Sequence, residues 1–583
     1  MRKAVLAAVA SLVVLTMSAC GGGGNPAPPN NPVVTVSPAT ANVQEASQQQ
    51  FTASVSNTSD NAVTWQVNNI TGGNASVGTI NSSGLYTAPA AIPNPASVTI
   101  TAFITDVPGI SGSAIATITS VQFGLSSLKG NYVFSLSGID SASNSFYAVG
   151  AITADGNGNI TGGEEDLNDV TSGYFNAPLI TGTYTVGPDG RGTLNLNVPA
   201  ISTSPFQYAF AMQALDNAVL NETDGSVVAA TGSLETQATA VTAPSGNYAF
   251  GFSGSGLGCG AINSAGIFAL SNGNVLGPQD VNCGGSIIQS QNMSGSLGTT
   301  VDSLGRGTGS FSGTSTGSSN LIYYVVSGNR FRFLCPDPAT FFLGAADLQT
   351  QQAFASTDFN GSYVVNTSAS TTAGVSYTLI YINASGGNVS SGYYDVNDTG
   401  NVGQAALSGA YTLATNGYVK GTWNVNGVGL PFALYLSSPT SGYYVDERTS
   451  VVGGGNITAQ TGTVTGNAAW AGSYATKQFG YFLAGGVINS GNASAVTGQL
   501  SADGNGVLAG TLDINDPSGI LLSQTLQGSY NVGTTAPGRF TAQITTPTEG
   551  SRAYVGYILD QGRVLLLETD SNLVSAGNAT RQF

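Results

Sequence analysis

The strongest constraint on this chain is a segment that it repeats. Gly150 to Asp169 reads GAITADGNGNITGGEEDLND, and Gly498 to Asp516 reads GQLSADGNGVLAGTLDIND. A worn copy, GAINSAGIFALSNGNVLGPQDVNC, spans Gly260 to Cys283, and a fainter one ends at Asp395 to Asp398. Two runs of β type flank a Gly/Asn/Asp turn, and an Asp-x-Asn-Asp tail follows. Each larger unit opens on Gly-x-Tyr, at Gly130-Asn131-Tyr132, Gly246-Asn247-Tyr248, Gly361-Ser362-Tyr363 and Gly472-Ser473-Tyr474. Their nearly even spacing marks four copies of one β-unit. A second Gly-x-Tyr falls inside three of the units, at Gly182-Thr183-Tyr184, Gly409-Ala410-Tyr411 and Gly528-Ser529-Tyr530. The second copy has Gly295-Ser296-Leu297 there, and every unit closes toward a Gln-bearing strand.

The first copy divides into about eight β-type runs joined mostly by short turns. Eight successive antiparallel strands suit a closed up-and-down barrel, because closure leaves no unpaired edge. Composition agrees: the chain holds 80 Gly and only 8% charged residues, which disfavours helices. The expected fold is all-β, an Ig-like β-sandwich followed by four eight-stranded barrel-like units at 124–240, 241–354, 355–465 and 466–583. Splitting each unit at its internal Gly-x-Tyr gives the alternative, an eight-bladed β-propeller. In strand count and spacing alone, the units loosely resemble lipocalin and avidin-type barrels.

Arg2 and Lys3 precede an apolar run, Ala4 to Leu15, which reads as an export signal too short to span a membrane. The ending Met17-Ser18-Ala19-Cys20 resembles a bacterial lipobox, with Met17 where that family usually carries Leu. The resemblance implies a signal peptide over 1–20, a lipid on Cys20 and, with Gly21 following, an outer-membrane address. GGGGNPAPPNNP, at 21–32, then reads as a flexible tether. Residues 33–120 alternate apolar and polar side chains between frequent turns. Their Gln50-Phe51-Thr52, Thr64-Trp65 and Gly84-Leu85-Tyr86-Thr87-Ala88-Pro89 resemble bacterial Ig-like (BIG-type) domains, which implies a spacer or adhesion module.

The chain has no histidine, which excludes a Ser-His-Asp triad, a Cys-His pair and His-ligated metal. A net charge of −16, with no basic cluster after Lys3, lacks the footprint of a nucleic-acid binder. Asp155-Gly156-Asn157-Gly158-Asn159 invites a calcium reading, but Ile160 occupies the position where an EF-hand loop needs glycine. A hairpin turn accounts for the same residues, and no metal or other cofactor is expected. Acids end the third strand at Asp169, Asp398 and Asp516, and others lie near the end of the seventh at Glu222, Glu447 and Glu568. In a meander both strands run the same way, so each pair shares a rim and is a candidate for carboxylate chemistry. Alternating aromatics such as Phe206, Tyr208 and Phe210 either line a cavity or fill the barrel.

Three cysteines fall in the second unit, and an exported chain favours one disulfide among them. Aligning Gly260-Ala261-Ile262 on Gly150-Ala151-Ile152 puts Cys259 and Cys283 at the same end of neighbouring antiparallel strands. The alternative is Cys283 with Cys335, which together replace Asp169 and Glu222. The functional expectation is a lipid-anchored cell-envelope protein, attached to the membrane by its lipid. Its role is structural display, adhesion or binding, to a glycan or a surface protein, without catalysis. The rivals are a carboxylate-dependent glycoside hydrolase and a small-ligand carrier with pockets inside the barrels.

Overall fold

The computed structural model describes residues 31–582, apart from 91, 121, 215–216, 257, 315–316, 339, 463 and 485–486. The signal segment, Cys20 and the first ten residues of the tether lie outside the described residues.

The chain forms two compact units. The described strands of the N-terminal one divide among three sheets of two, five and four strands. Its core holds Phe51, Trp65 and Tyr86, the residues that motivated the Ig-like reading, together with Val67, Val98 and Ile100. Trp65 is therefore packing, not an exposed platform.

In the second unit the described residues form four closed antiparallel barrels of eight strands. Barrel 1 begins at Lys129–Asp140, barrel 2 at Gly246–Gly256, barrel 3 at Gly361–Thr371 and barrel 4 at Ala471–Ala484. In barrel 1 the fourth strand is broken into Gly173–Leu179 and Thr181–Val186. Each unit pairs its own first and eighth strands, as in Tyr248↔Leu348 and Tyr474↔Arg581. The propeller alternative is thereby corrected, because the four-stranded halves are not separate sheets.

In barrels 1, 3 and 4 the internal Gly-x-Tyr ties the second half of the unit to its first strand. Tyr184, Tyr411 and Tyr530 point inward and donate to Leu128, Phe359 and Trp470 carbonyls at 2.7, 2.8 and 2.6 Å. Those carbonyls lie on the lead-in to the first strand of the same barrel, so the tyrosine plugs one end. Its glycine permits close approach: a Cβ on Gly182 would sit 2.0 Å from the Asn195 carbonyl oxygen. The opening glycines serve differently, since Gly130, Gly246, Gly361 and Gly472 all adopt φ between 108° and 126°, a region other residues enter with strain.

Each interior is a packed apolar core. Barrel 2 is filled largely by aromatic rings, among them Phe250, Phe252, Phe268, Phe311 and Phe333. Barrel 3 holds Trp423 stacked on Phe432 at 3.6 Å between ring centres. Several strands are buried on both faces, which suits their near-continuous apolar runs. In barrel 1, Tyr132 and Phe134 face inward while Val133 faces Ile322 and Tyr324 of barrel 2. Similar seams join barrel 2 to 3 through Ile267 and Tyr435, and barrel 3 to 4 through Tyr381 and Tyr557. Barrel 4 meets barrel 1 through a thinner seam of Ala493, Ala495, Ile139 and Ala229. The four barrels thus close into a ring.

Candidate functional site

The repeated Asp-x-Asn tail carries polar groups that bond from one barrel to the next. It ends the third strand of each barrel, where successive side chains point to opposite faces. In barrel 1, Asp166 and Asn168 point out toward barrel 2, while Glu165, Leu167 and Asp169 point in. Asn168 donates to the Cys335 carbonyl of barrel 2 at 2.8 Å. Asn282 of barrel 2 donates to Asp446 and Val451 carbonyls of barrel 3 at 2.8 and 2.7 Å. Asn397 of barrel 3 donates to Glu568 and Leu573 carbonyls of barrel 4 at 2.9 and 3.0 Å. Asn515 of barrel 4 completes the circuit on the Glu222 carbonyl of barrel 1 at 2.9 Å.

The aspartates obey the same cycle. Asp166 pairs with Arg306 at 2.7 Å, Asp395 with Arg539 at 2.6 Å and Asp513 with Arg191 at 2.8 Å. Tyr324 and Tyr557 add hydroxyl donors to Asp166 and Asp395 at 2.8 and 2.7 Å. The seam between barrels 2 and 3 differs. There Tyr418 holds the register position of the arginine, and Asp280 faces Tyr435, Tyr418 and Lys420. Burial holds the Asp280 carboxyl above its usual range despite those partners. The closing glutamines form a third cyclic set. Gln237, Gln349, Gln460 and Gln582 donate to Val325, Leu436, Ile558 and Met212 carbonyls in the next barrel. All three sets are joints between barrels.

The Asp155 turn is also structural. Asp155 Oδ1 accepts from the Asn157 and Asn159 amides at 2.7 and 3.0 Å, and Asp503 repeats the turn in barrel 4.

The candidate rim acids sit at or beside strand ends. Asp169, Asp398 and Asp516 end third strands, and Glu222 and Glu568 end seventh strands. In barrel 3 the seventh strand ends at Asp446, with Glu447 one residue beyond. Glu447 is buried beside Lys420 at 4.0 Å, and desolvation pushes its carboxyl up to about 7. The disulfide joins Cys259 to Cys283 with 5.3 Å between Cα atoms, and Cys335 is a buried free thiol. The alternative Cys283–Cys335 bond is therefore not formed.

Asp169 and Glu222 of barrel 1 border one cavity of about 250 Å³ at its rim. Glu165, a residue not among the rim candidates, borders it too, with Phe146, Phe206 and Tyr208 on its walls. Glu165 and Glu222 are 4% and 2% exposed. Burial pushes Glu165 up to about 7 and Glu222 up to about 8. The expectation that Phe206, Tyr208 and Phe210 either fill or line the barrel resolves by depth: Phe210 packs in the core, and the other two reach the cavity. The alternation of Glu165, Leu167 and Asp169 against Asp166 and Asn168 was the available signal for Glu165.

No family model and no curated protein matches the chain by sequence. Among solved structures, isotype 1 transferrin binding protein B from serogroup B Neisseria meningitidis aligns over 64% of this chain and 83% of its own. The identity is 11% and the TM-score 0.18. The FrpB iron transporter of Neisseria meningitidis aligns over 85% of this chain and 88% of its own, at 8% identity and a TM-score of 0.12. Both TM-scores are too low to indicate a shared overall fold.

Proposed function

We propose that the chain is a lipid-anchored cell-envelope protein that displays a rigid binding surface and is not a catalyst. The observation that supports this reading is where the repeated polar residues go. In all four copies they join one barrel to the next, while the interiors are largely filled by apolar side chains. A repeated motif spent on joints makes a stiff scaffold, and the ligand then meets its outer surface. The Ig-like resemblance of 33–120 and the tether at 21–32 fit a spacer that holds the ring away from a membrane. The surface ligand is a glycan or another surface protein.

The test uses the full chain and its Cys20→Ser variant. The expected result is a native chain in the detergent-extracted membrane fraction, a soluble variant, and glycan-array or surface-protein binding by both. Unchanged partitioning of the variant defeats the lipid anchor. A glycan or surface-protein survey without a hit defeats the display role. A second reading, the carboxylate hydrolase, is favoured by one observation: Asp169, Glu165 and Glu222 border a single cavity. Turnover of any member of a chromogenic glycoside panel, lost in Glu222→Gln, would establish it.

A further inference from the structure

The four barrels allow an internal comparison at one position. The inward residue at the end of the seventh strand is Glu222, Cys335, Asp446 and Glu568 in barrels 1 to 4. Wherever barrels 3 and 4 bury an acid there, they also supply an arginine. Arg448 binds Asp446 through two nitrogens, at 2.8 and 2.5 Å. Arg552, two residues before the Tyr554 that pairs with Glu568, acts on Glu568 electrostatically and ion-pairs with Glu549. Barrel 2 has no acid at the position.

Barrel 1 has the acids without the arginine. By the same register, Asp224 stands at the place of Arg448, and Phe206 stands at the place of Arg552. A second buried acid, Glu165, is added where barrels 2 to 4 carry Gln279, Tyr394 and Leu512. Among the described residues barrel 1 has two bases. Arg191 points outward to Asp513, and Lys129 starts the first strand, at the far end from the rim. Glu222 accepts one hydrogen bond, from Ser226 Oγ at 2.8 Å, and Glu165 Oε1 has no hydrogen-bond partner. Loss of the arginine also opens space. The corresponding end of barrel 4, bordered by Arg552, keeps about 40 Å³, against about 250 Å³ in barrel 1.

We propose that the rim cavity of barrel 1 binds a small organic cation, a primary or secondary ammonium on an apolar body, between Glu165 and Glu222. The chemistry follows from the walls. Two buried carboxylates supply the counter-charge that a lone buried acid lacks. Phe146, Phe206 and Tyr208 offer aromatic faces to a cation and its apolar body. The volume is below the range of about 300–1,000 Å³ typical of drug-sized sites, so the ligand is small. Asp140, Asp169 and Asp224 stand around the mouth and add negative potential. Burial raises both carboxyls, so that near neutrality Glu222 is mostly and Glu165 partly protonated, and uptake of a cation expels protons. Affinity therefore rises with pH toward 8. The site does not depend on the surface ligand or on the lipid anchor, and its failure would leave both untouched.

The experiment is calorimetry of the purified full chain with benzylamine, using benzyl alcohol as the neutral isostere. Benzylamine binding is expected, with proton release seen between buffers of different ionisation enthalpy. Its affinity should rise by up to about tenfold per pH unit below 7 for each proton expelled. Glu165→Gln and Glu222→Gln should each weaken binding. Phe206→Arg should abolish it by giving barrel 1 the cation that barrel 4 has, and should leave the fold intact by circular dichroism. Three results overturn the proposal: no benzylamine binding, equal binding of benzyl alcohol, or undiminished amine binding by a folded Phe206→Arg chain.

Discussion

The side-chain amide of Asn515, in the last barrel, donates to the main-chain carbonyl of Glu222, in the first, across 2.9 Å. The same bond joins Asn168 to Cys335, Asn282 to Asp446 and Asn397 to Glu568, so each barrel clasps its successor and the fourth clasps the first. A clasp that closes the circuit makes the ring's integrity depend on every joint.

The joints should not be equally sensitive to charge removal. Asp166, Asp395 and Asp513 each neutralise a largely buried arginine. Replacing any of them with Asn should cost about 3–5 kcal/mol, because a buried guanidinium loses its counter-ion. Asp280→Asn should be nearly neutral, since burial disfavours that charge and no arginine answers it. Urea midpoints of the four variants measure the difference. An Asp280→Asn loss as large as the others would refute the argument.

Each barrel owns a core, so residues 466–583 should fold alone. Trp470, Tyr474, Tyr530 and Phe540 supply that core within one barrel. The expected outcome is a cooperative, β-rich thermal melt by circular dichroism, at a lower temperature than the whole ring. Separation exposes Asp513, Asn515 and the apolar seam around Tyr557, whose burial the neighbours normally provide. A disordered spectrum would show that the barrel depends on its neighbours.

The Cys259–Cys283 bond closes a loop with a sequence separation of 24. Its reduction should destabilise the ring by about 3 kcal/mol in the chain-entropy view. Non-reducing peptide mapping should recover these two cysteines in one linked product and Cys335 as a free thiol. Recovery of Cys283 linked to Cys335 would contradict the structure.

Stability should fall as pH rises from about 5 to about 8. Burial raises Glu165 and Glu447 to about 7 and Glu222 to about 8, above the ordinary glutamate value of about 4.3 in unfolded chains. Between those limits the folded chain binds more protons than the unfolded one, so raising pH favours unfolding. The contribution is complete below the unfolded value and lost above the folded one. Melting temperatures across this range test it, and Glu222→Gln should flatten the slope.

Much of the architecture was legible because strand count, turn chemistry and Gly-x-Tyr all repeat. The disulfide was legible because aligning the copies placed Cys259 beside the end of the third strand. The meaning of Asp166 and Asn168 was not. Alternation shows that Asp166 and Glu165 face opposite ways, yet only the assembled ring shows that the outer face meets Arg306 of another barrel. In the third copy Asp446 ends the strand and Glu447 follows it, a distinction that the loose register of a worn repeat blurs. Glu165 was hidden for a different reason. Its importance lies in the arginine that its neighbourhood lacks, and that is visible only against Arg448 and Arg552.

The closing glutamine has a last consequence. Gln582 reaches the Asp189 carbonyl at 2.9 Å, and the amide of Phe123 reaches the adjacent Pro188 carbonyl at 3.2 Å. The first and last residues of the four-barrel stretch therefore meet at one turn. Such a ring can be cut elsewhere: a circular permutant that joins 582 to 123 by a short linker and opens between barrels 2 and 3 would keep the bonding partners of every other joint. In such a permutant the order of the barrels along the chain would change while their order around the ring stayed the same.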